Sequence, residues 1–176
     1  FGTHERTSLE TLGAVAGFAI HAARQADLVD TDTVTEVRLE VQDPTTPFVA
    51  AARAEATRLS VDSVIRRDDG TTVCSTRTSG ASDPVLGALS AHDAVGAVRQ
   101  VQTSNADTLL ETTLVGATPT TVFASRAARV EHVDATADGA ELIAHVGPDA
   151  TVRDALDAVA ETADGVELVV KRSRPQ

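Results

Sequence analysis

Two stretches of this chain follow one order of elements, and that repetition limits its folds more than any other feature. From Val37 to about Val101, and again from Leu109 to Lys171, the pattern runs strand, helix, strand, Asp-Gly turn, strand, helix, strand. Asp69-Gly70 and Asp138-Gly139 set the register of the repeat, with Leu86 falling on Leu156 and Val98 on Leu168. Asp-Gly between alternating strands is a strong hairpin signal. A β-α-β-β-α-β order defines a ferredoxin-like unit. The expected fold class is therefore α+β, with two tandem ferredoxin-like units, 33–103 and 107–173, behind a long N-terminal helix over 1–30. A unit of roughly 65–70 residues is marginal alone because small domains bury too little of their surface. Two units packed together share a larger core, and edge-to-edge, face-to-face and helix-to-helix packings are all open to them.

The N-terminal stretch carries Leu9, Leu12, Ala16, Ala19, Ala23 and Ala26 at alternating spacings of three and four, a heptad-like stripe. Such a helix must pack on something, and its alanines suit close approach of a second copy. Dimerisation through these six residues is the expectation, with a terminal helix of a truncated domain as the alternative. The chain opens with Phe1 inside that helix, which suggests a fragment of a longer protein. Beyond a polar break at Asp27–Thr33, Val37, Leu39 and Val41 alternate with Glu36, Arg38 and Glu40, the mark of a half-buried strand. Asp43-Pro44 and a Thr N-cap open a helix running to about Leu59; Ser104–Asp107 reads as a linker between units; the basic tail Arg172–Gln176 reads as frayed.

Acidic residues number 26 against 15 basic ones, a formal net charge of -11, and Lys171 is the only lysine. Acid-rich, lysine-poor composition suits solubility in strong brine, where carboxylates stay hydrated. With a Debye length of about 3 Å at 1 M salt, the charge speaks to solubility more than to steering. There is no aromatic interleaving to stack bases, and the only basic clusters are Arg66-Arg67 and the tail, so direct nucleic-acid binding is not expected. No apolar run approaches a membrane span and no signal peptide is visible, so a cytoplasmic protein without membrane contact is expected.

Catalysis is not legible. His4, His21, His92, His132 and His145 show no metal-ligand spacing, although His132 and His145 fall on the two strands of one hairpin and can approach. Cys74 is alone on a strand, a buried inert thiol in expectation. Phosphate-binding glycine loops and nucleophile elbows are missing, so no cofactor, metal or catalytic residue is assigned. Asp68, Asp69 and Asp138 are turn residues.

Longer stretches carry a family likeness. The run Glu5–Gly13 followed by Ala19–Ala22 resembles the last helix of a GAF sensor domain. Val34–Val41, Asp43-Pro44, the Arg66–Gly70 turn, Gly147–Arg153 and Val166–Arg172 resemble haloarchaeal bacterio-opsin-activator-type regulators, in a region between a GAF domain and a C-terminal helix-turn-helix. The resemblance covers essentially the whole chain. It implies a non-catalytic coupling module of a transcription regulator, linking an upstream sensor to a DNA-binding domain absent from this sequence. Tandem units also resemble ACT-like regulatory domains, so a domain sensing an unknown small molecule is the alternative.

Overall fold

The computed structural model describes residues 33–175 apart from 80–81, 105, 127 and 148. The predicted helix over 1–30, with Leu9, Leu12, Ala16, Ala19, Ala23 and Ala26, lies outside the described residues. In chain order the elements are β1 (Thr33–Val41), α1 (Pro47–Ala54), β2 (Leu59–Arg66), β3 (Thr72–Thr78), α2 (Ser82–Ser90), β4 (Val95–Thr103), β5 (Thr108–Leu114), α3 (Pro119–Ser125), β6 (Ala128–Ala135), β7 (Ala140–Val146), α4 (Asp149–Ala160) and β8 (Val166–Pro175). Both predicted Asp-Gly hairpins are present: Asp69 accepts hydrogen bonds from the amide and hydroxyl of Thr71, and Thr136 N–H donates to the Gly139 carbonyl.

The expectation of two self-contained ferredoxin-like units is overturned by the strand order. All eight strands form one antiparallel sheet in the order β4-β5-β3-β2-β6-β7-β1-β8. The halves meet edge to edge at β2 and β6, and each has lost its own first strand to the other. β5 lies between β4 and β3, while β1 lies between β7 and β8. The helices stay at home: α1 packs on α2, and α3 packs on α4.

A short connection explains the exchange. β4 and β5 are joined by four residues, 104–107, closed by Ser104 N–H donating to the Asp107 carbonyl, while Ser104 Oγ donates to the same carbonyl and accepts from Asp107 N–H. For β5 to reach the slot between β7 and β8 in this sheet it would have to cross six strand spacings, about 29 Å. A four-residue connection reaches about 17 Å at most. β5 therefore folds back beside β4 as a hairpin, and the vacated slot is filled by β1.

Alternation supplies the core. Thr35, Val37, Leu39 and Val41 of β1 point toward the helices and are buried, while Glu36, Arg38 and Glu40 stand half-buried on the open face. α1 contributes Phe48, Val49, Ala51 and Ala52, α3 contributes Phe123, and α4 contributes Val152, Ala155 and Val159. Threonines line the core face of the first half, and Thr76 and Thr112 satisfy each other across β3 and β5 with hydroxyls 3.3 Å apart. α3 begins with a reciprocal capping box between Thr118 and Thr121. α1 ends at Ala54, short of the predicted Leu59, because Leu59 is drawn into β2 opposite Ala135. The tail predicted to fray continues β8, with Arg172 opposite Glu36 and Pro175 opposite Thr33.

Both outer strands carry register shifts, in β4 near Gly96 and Val101 and in β8 at Val169. Bulges of this kind blunt an edge against pairing with another chain.

Two outcomes test this architecture. Opposed residues of an antiparallel pair lie within disulfide reach. In a Cys74→Ser background, Arg38→Cys with Ile143→Cys, and separately Ser75→Cys with Glu111→Cys, should oxidise to intramolecular disulfides. A disulfide from Arg38→Cys with Ser75→Cys instead would mean that the strands are not exchanged. Phe123, fully buried, should cost about 3–5 kcal/mol when truncated to Ala, read by urea unfolding.

Candidate functional site: a strand pair joining the incoming and outgoing chain

The β1–β8 pair is the feature most suited to a function. β1 is where the chain enters the sheet and β8 is where it leaves, and the two run antiparallel from Thr33↔Pro175 to Val41↔Val166. Incoming and outgoing backbone therefore lie side by side at one end of the sheet. At the other end the pair is pinned through Asp43. Its Oδ1 accepts from Thr45 N–H and Thr45 Oγ1, and its Oδ2 accepts from Asp164 N–H at 2.8 Å. Gln42 N–H also donates to the Gly165 carbonyl. Gly165 sits at φ +61°, where a side chain is strained, and a Cβ there would stand 3.0 Å from Gln42 Cβ. His92 ties this crossover to the first half: its Nε2 lies 2.6 Å from the Thr45 carbonyl, while its Nδ1 accepts from Ala94 N–H. Those two bonds place the ring proton on Nε2.

The open face of the sheet is a mosaic of paired charges. Arg99 makes a two-pronged contact to Glu111, Arg77 pairs with Asp62 at 2.7 Å, and Arg58 pairs with Asp134, whose carboxyl its guanidinium holds below the usual range. His132 and His145 both stand on this face but not together: His132 is opposite Ile143 and His145 opposite Arg129. His145 lies between Glu131, at 3.3 Å, and Glu36, at 3.8 Å. His132 bridges the seam between the halves, with Nε2 3.4 Å from Ser60 Oγ and Nδ1 3.8 Å from Asp62 Oδ1. Ser, His and Asp in a row invite comparison with a hydrolytic relay. The geometry does not support one: both links are long, the other Asp62 oxygen is held by Arg77, and the three lie on a sheet surface. The row is a strap across a seam only three residue pairs long, Leu59–Val61 against Ala135–Val133.

Cys74 is buried, as its strand position predicts. Burial pushes the Cys74 thiol up to about 12, which keeps it protonated and unreactive. Among the described residues no group of three or more His, Cys, Asp or Glu is arranged to hold a metal, and no helix is long and apolar enough to cross a membrane. Where the two crossovers pass, Pro47, Phe48, Pro119 and Leu142 enclose an apolar cavity of about 20 Å³, room for about one water and too small for a ligand. His4 and His21 lie outside the described residues. The strand pairing that matters most here, β1 with β8, escaped the sequence reading; the signal for it was the four-residue spacing between β4 and β5.

This architecture defines a class: one eight-stranded antiparallel sheet carrying four helices among the described residues. Comparison with known proteins narrows it. The family model described as "BAT: GAF and HTH_10 associated domain" matches residues 32–176, and the chain belongs to that family. A relative described as "Putative transcriptional regulator", from Haloferax volcanii, is 30% identical over 163 residues, covering 92% of this chain. The chain spans 28% of that relative's length. No solved structure matches. A bacterio-opsin-activator-type regulator domain is thus the identity, as the sequence motifs implied.

Asp43 gives a test of the pin. Burial raises its pKa, but the bonds from the Thr45 hydroxyl, Asp164 N–H and Thr45 N–H outweigh that and hold it below the ordinary value. A folded pKa depressed below the unfolded one stabilises above the unfolded value, about 3.9, and the benefit is lost as pH falls through the folded value. Asp43→Ala should cost about 1–3 kcal/mol at neutral pH. The gap from the parent protein should close once pH drops below the folded pKa, as followed by urea unfolding across pH. A gap that persists at the lowest pH would mean the carboxylate is not its source.

Proposed function

We propose that this domain couples an upstream sensory segment to a downstream DNA-binding segment within a transcription regulator, without catalysing a reaction. A regulatory role in transcription follows from the family and the relative. The coupling role is supported by one observation above all, the pairing of Thr33 with Pro175. A strain arriving through the chain before Thr33 acts on β1, and β1 is hydrogen-bonded along its length to the strand by which the chain departs. Sliding, twisting or unpairing the end of that ladder changes the direction in which the outgoing chain is presented.

The flanking parts have stated roles in this reading. Leu9, Leu12, Ala16, Ala19, Ala23 and Ala26 form a self-association stripe that brings two copies together upstream. In this reading the domain itself contacts neither nucleic acid nor membrane; it lacks the aromatic interleaving that stacks bases.

The test is a proline in the ladder. Val34 pairs with Arg174 of β8 and precedes the register with β7, which begins at Thr35↔Val146, so Val34→Pro disturbs the incoming end of this pair. In the full-length regulator carrying this domain, the substitution should leave DNA binding by the downstream segment intact while making reporter transcription insensitive to the upstream signal. A regulator that responds normally with the ladder broken would sink the reading. Light scattering of the present chain in multimolar salt should give a dimer, and Leu9→Asp with Leu12→Asp a monomer.

A further inference from the structure

We propose that the groove between α4 and β8 is a ligand site for a small zwitterion with a branched apolar body, an amino acid of the leucine type. The groove is an open cleft of about 720 Å³, in the size range of small-molecule sites. Its apolar lining is Val152 and Leu156 from the helix and Leu168 from the strand. Leu168 is 42% exposed, which leaves apolar surface bare on a chain otherwise rich in solvated carboxylates. Strong salt increases the return on covering such surface, because excluded ions strengthen apolar association.

The charged lining is the second observation, and a bulge creates it. Leu168 lies opposite Leu39, on the helix face. In a regular ladder Lys171 would then stand opposite Glu36, on the open face. The register shift at Val169 places Lys171 opposite Val37 instead, so the only lysine of the chain shares the helix face with Leu168 and lines the groove. Re-aiming one side chain is a recognised use of bulges beside binding sites. Arg153 adds a second cation, and Asp154 and Asp157 add two anions. Two cations and two anions around an apolar lining match a ligand that carries one charge of each sign on an apolar body. A carboxylate on Lys171 and Arg153, an ammonium toward Asp154 and Asp157, and a branched side chain against Leu156 and Leu168 use every group.

The consequence for signalling rests on the coupling reading, since the ligand would sit against the strand that leaves the domain. Binding itself is measured separately and stands or falls alone. Isothermal titration of the whole chain in multimolar potassium chloride compares three probes of one shape: L-leucine, 4-methylpentanoate and 3-methylbutylamine. L-leucine should bind more tightly than either singly charged analogue, by up to about fivefold. Lys171→Gln should weaken it by up to about fivefold and Leu168→Asp about tenfold, with circular dichroism and thermal midpoint unchanged. Val101→Asp, an exposed apolar position on the opposite edge strand, should leave binding alone. Absence of any heat with L-leucine, equal binding of one analogue, or full binding by Lys171→Gln would overturn the proposal.

Discussion

The four-residue turn between β4 and β5 governs the rest of the structure. It is too short to let β5 reach the far half, so it holds β5 beside β4 and leaves a slot that β1 fills. The consequence is one of position as well as topology. Had each half kept its own first strand, β1 would lie between β4 and β3, five strand spacings or about 24 Å across the sheet from its present place, and far from β8. The exchange sets the beginning of the sheet beside its end. A local turn thus decides that the chain comes in and goes out at one point.

The exchange also makes two marginal halves into one body. Three residue pairs between β2 and β6 are a thin backbone seam. In strong salt the straps across it, Arg58 with Asp134 and His132 with Ser60 and Asp62, contribute little, because exposed pairs are worth roughly 0–1 kcal/mol even before screening. What resists separation is that β1 and β5 are each covalently tied to one half and packed in the other. Pulling the halves apart strips both strands from their ladders and exposes Leu39, Val37, Leu110 and Leu114 together, each fully buried. Full burial of such a side chain is worth about 1.5–3 kcal/mol, so the cost of separation is carried by the exchanged strands.

How far the sequence spoke depended on the range of the interaction. Element order, both Asp-Gly hairpins, the inert Cys74 and the family were readable because alternation, turn chemistry and short motifs are local. Arrangement was not, because β1 on β7 and β5 on β3 present the same alternating faces that they would present at home. Nothing in the side-chain pattern of Val37–Val41 or Leu110–Leu114 distinguishes the two slots. The information lay in a length, the four residues 104–107, which read as a linker but act as a hairpin. The core of the first half was muted for a different reason: Thr72, Thr76, Thr78, Thr108 and Thr112 occupy inward positions, where a polar residue disguises a buried face. Their hydroxyls are tolerated because facing rows pair, as Thr76 does with Thr112. The basic tail looked frayed because Arg172-Ser173-Arg174 is polar, yet its backbone continues the ladder with β1.

The two copies of the repeat, alike in sequence pattern, are unequal in the folded chain. The first half presents an outer strand, β4, that leads only into the turn to β5. The second half holds the incoming strand, the outgoing strand, the Asp43 pin between them and the groove with the sole lysine. Bulges interrupt both edges, but they do different things. Those near Gly96 and Val101 break up an exposed edge, whereas the one at Val169 also rotates the rest of β8 so that Lys171 faces α4. Repetition therefore gives this domain its sheet, and the inequality introduced by strand exchange places the first and the last strand of that sheet side by side in one half.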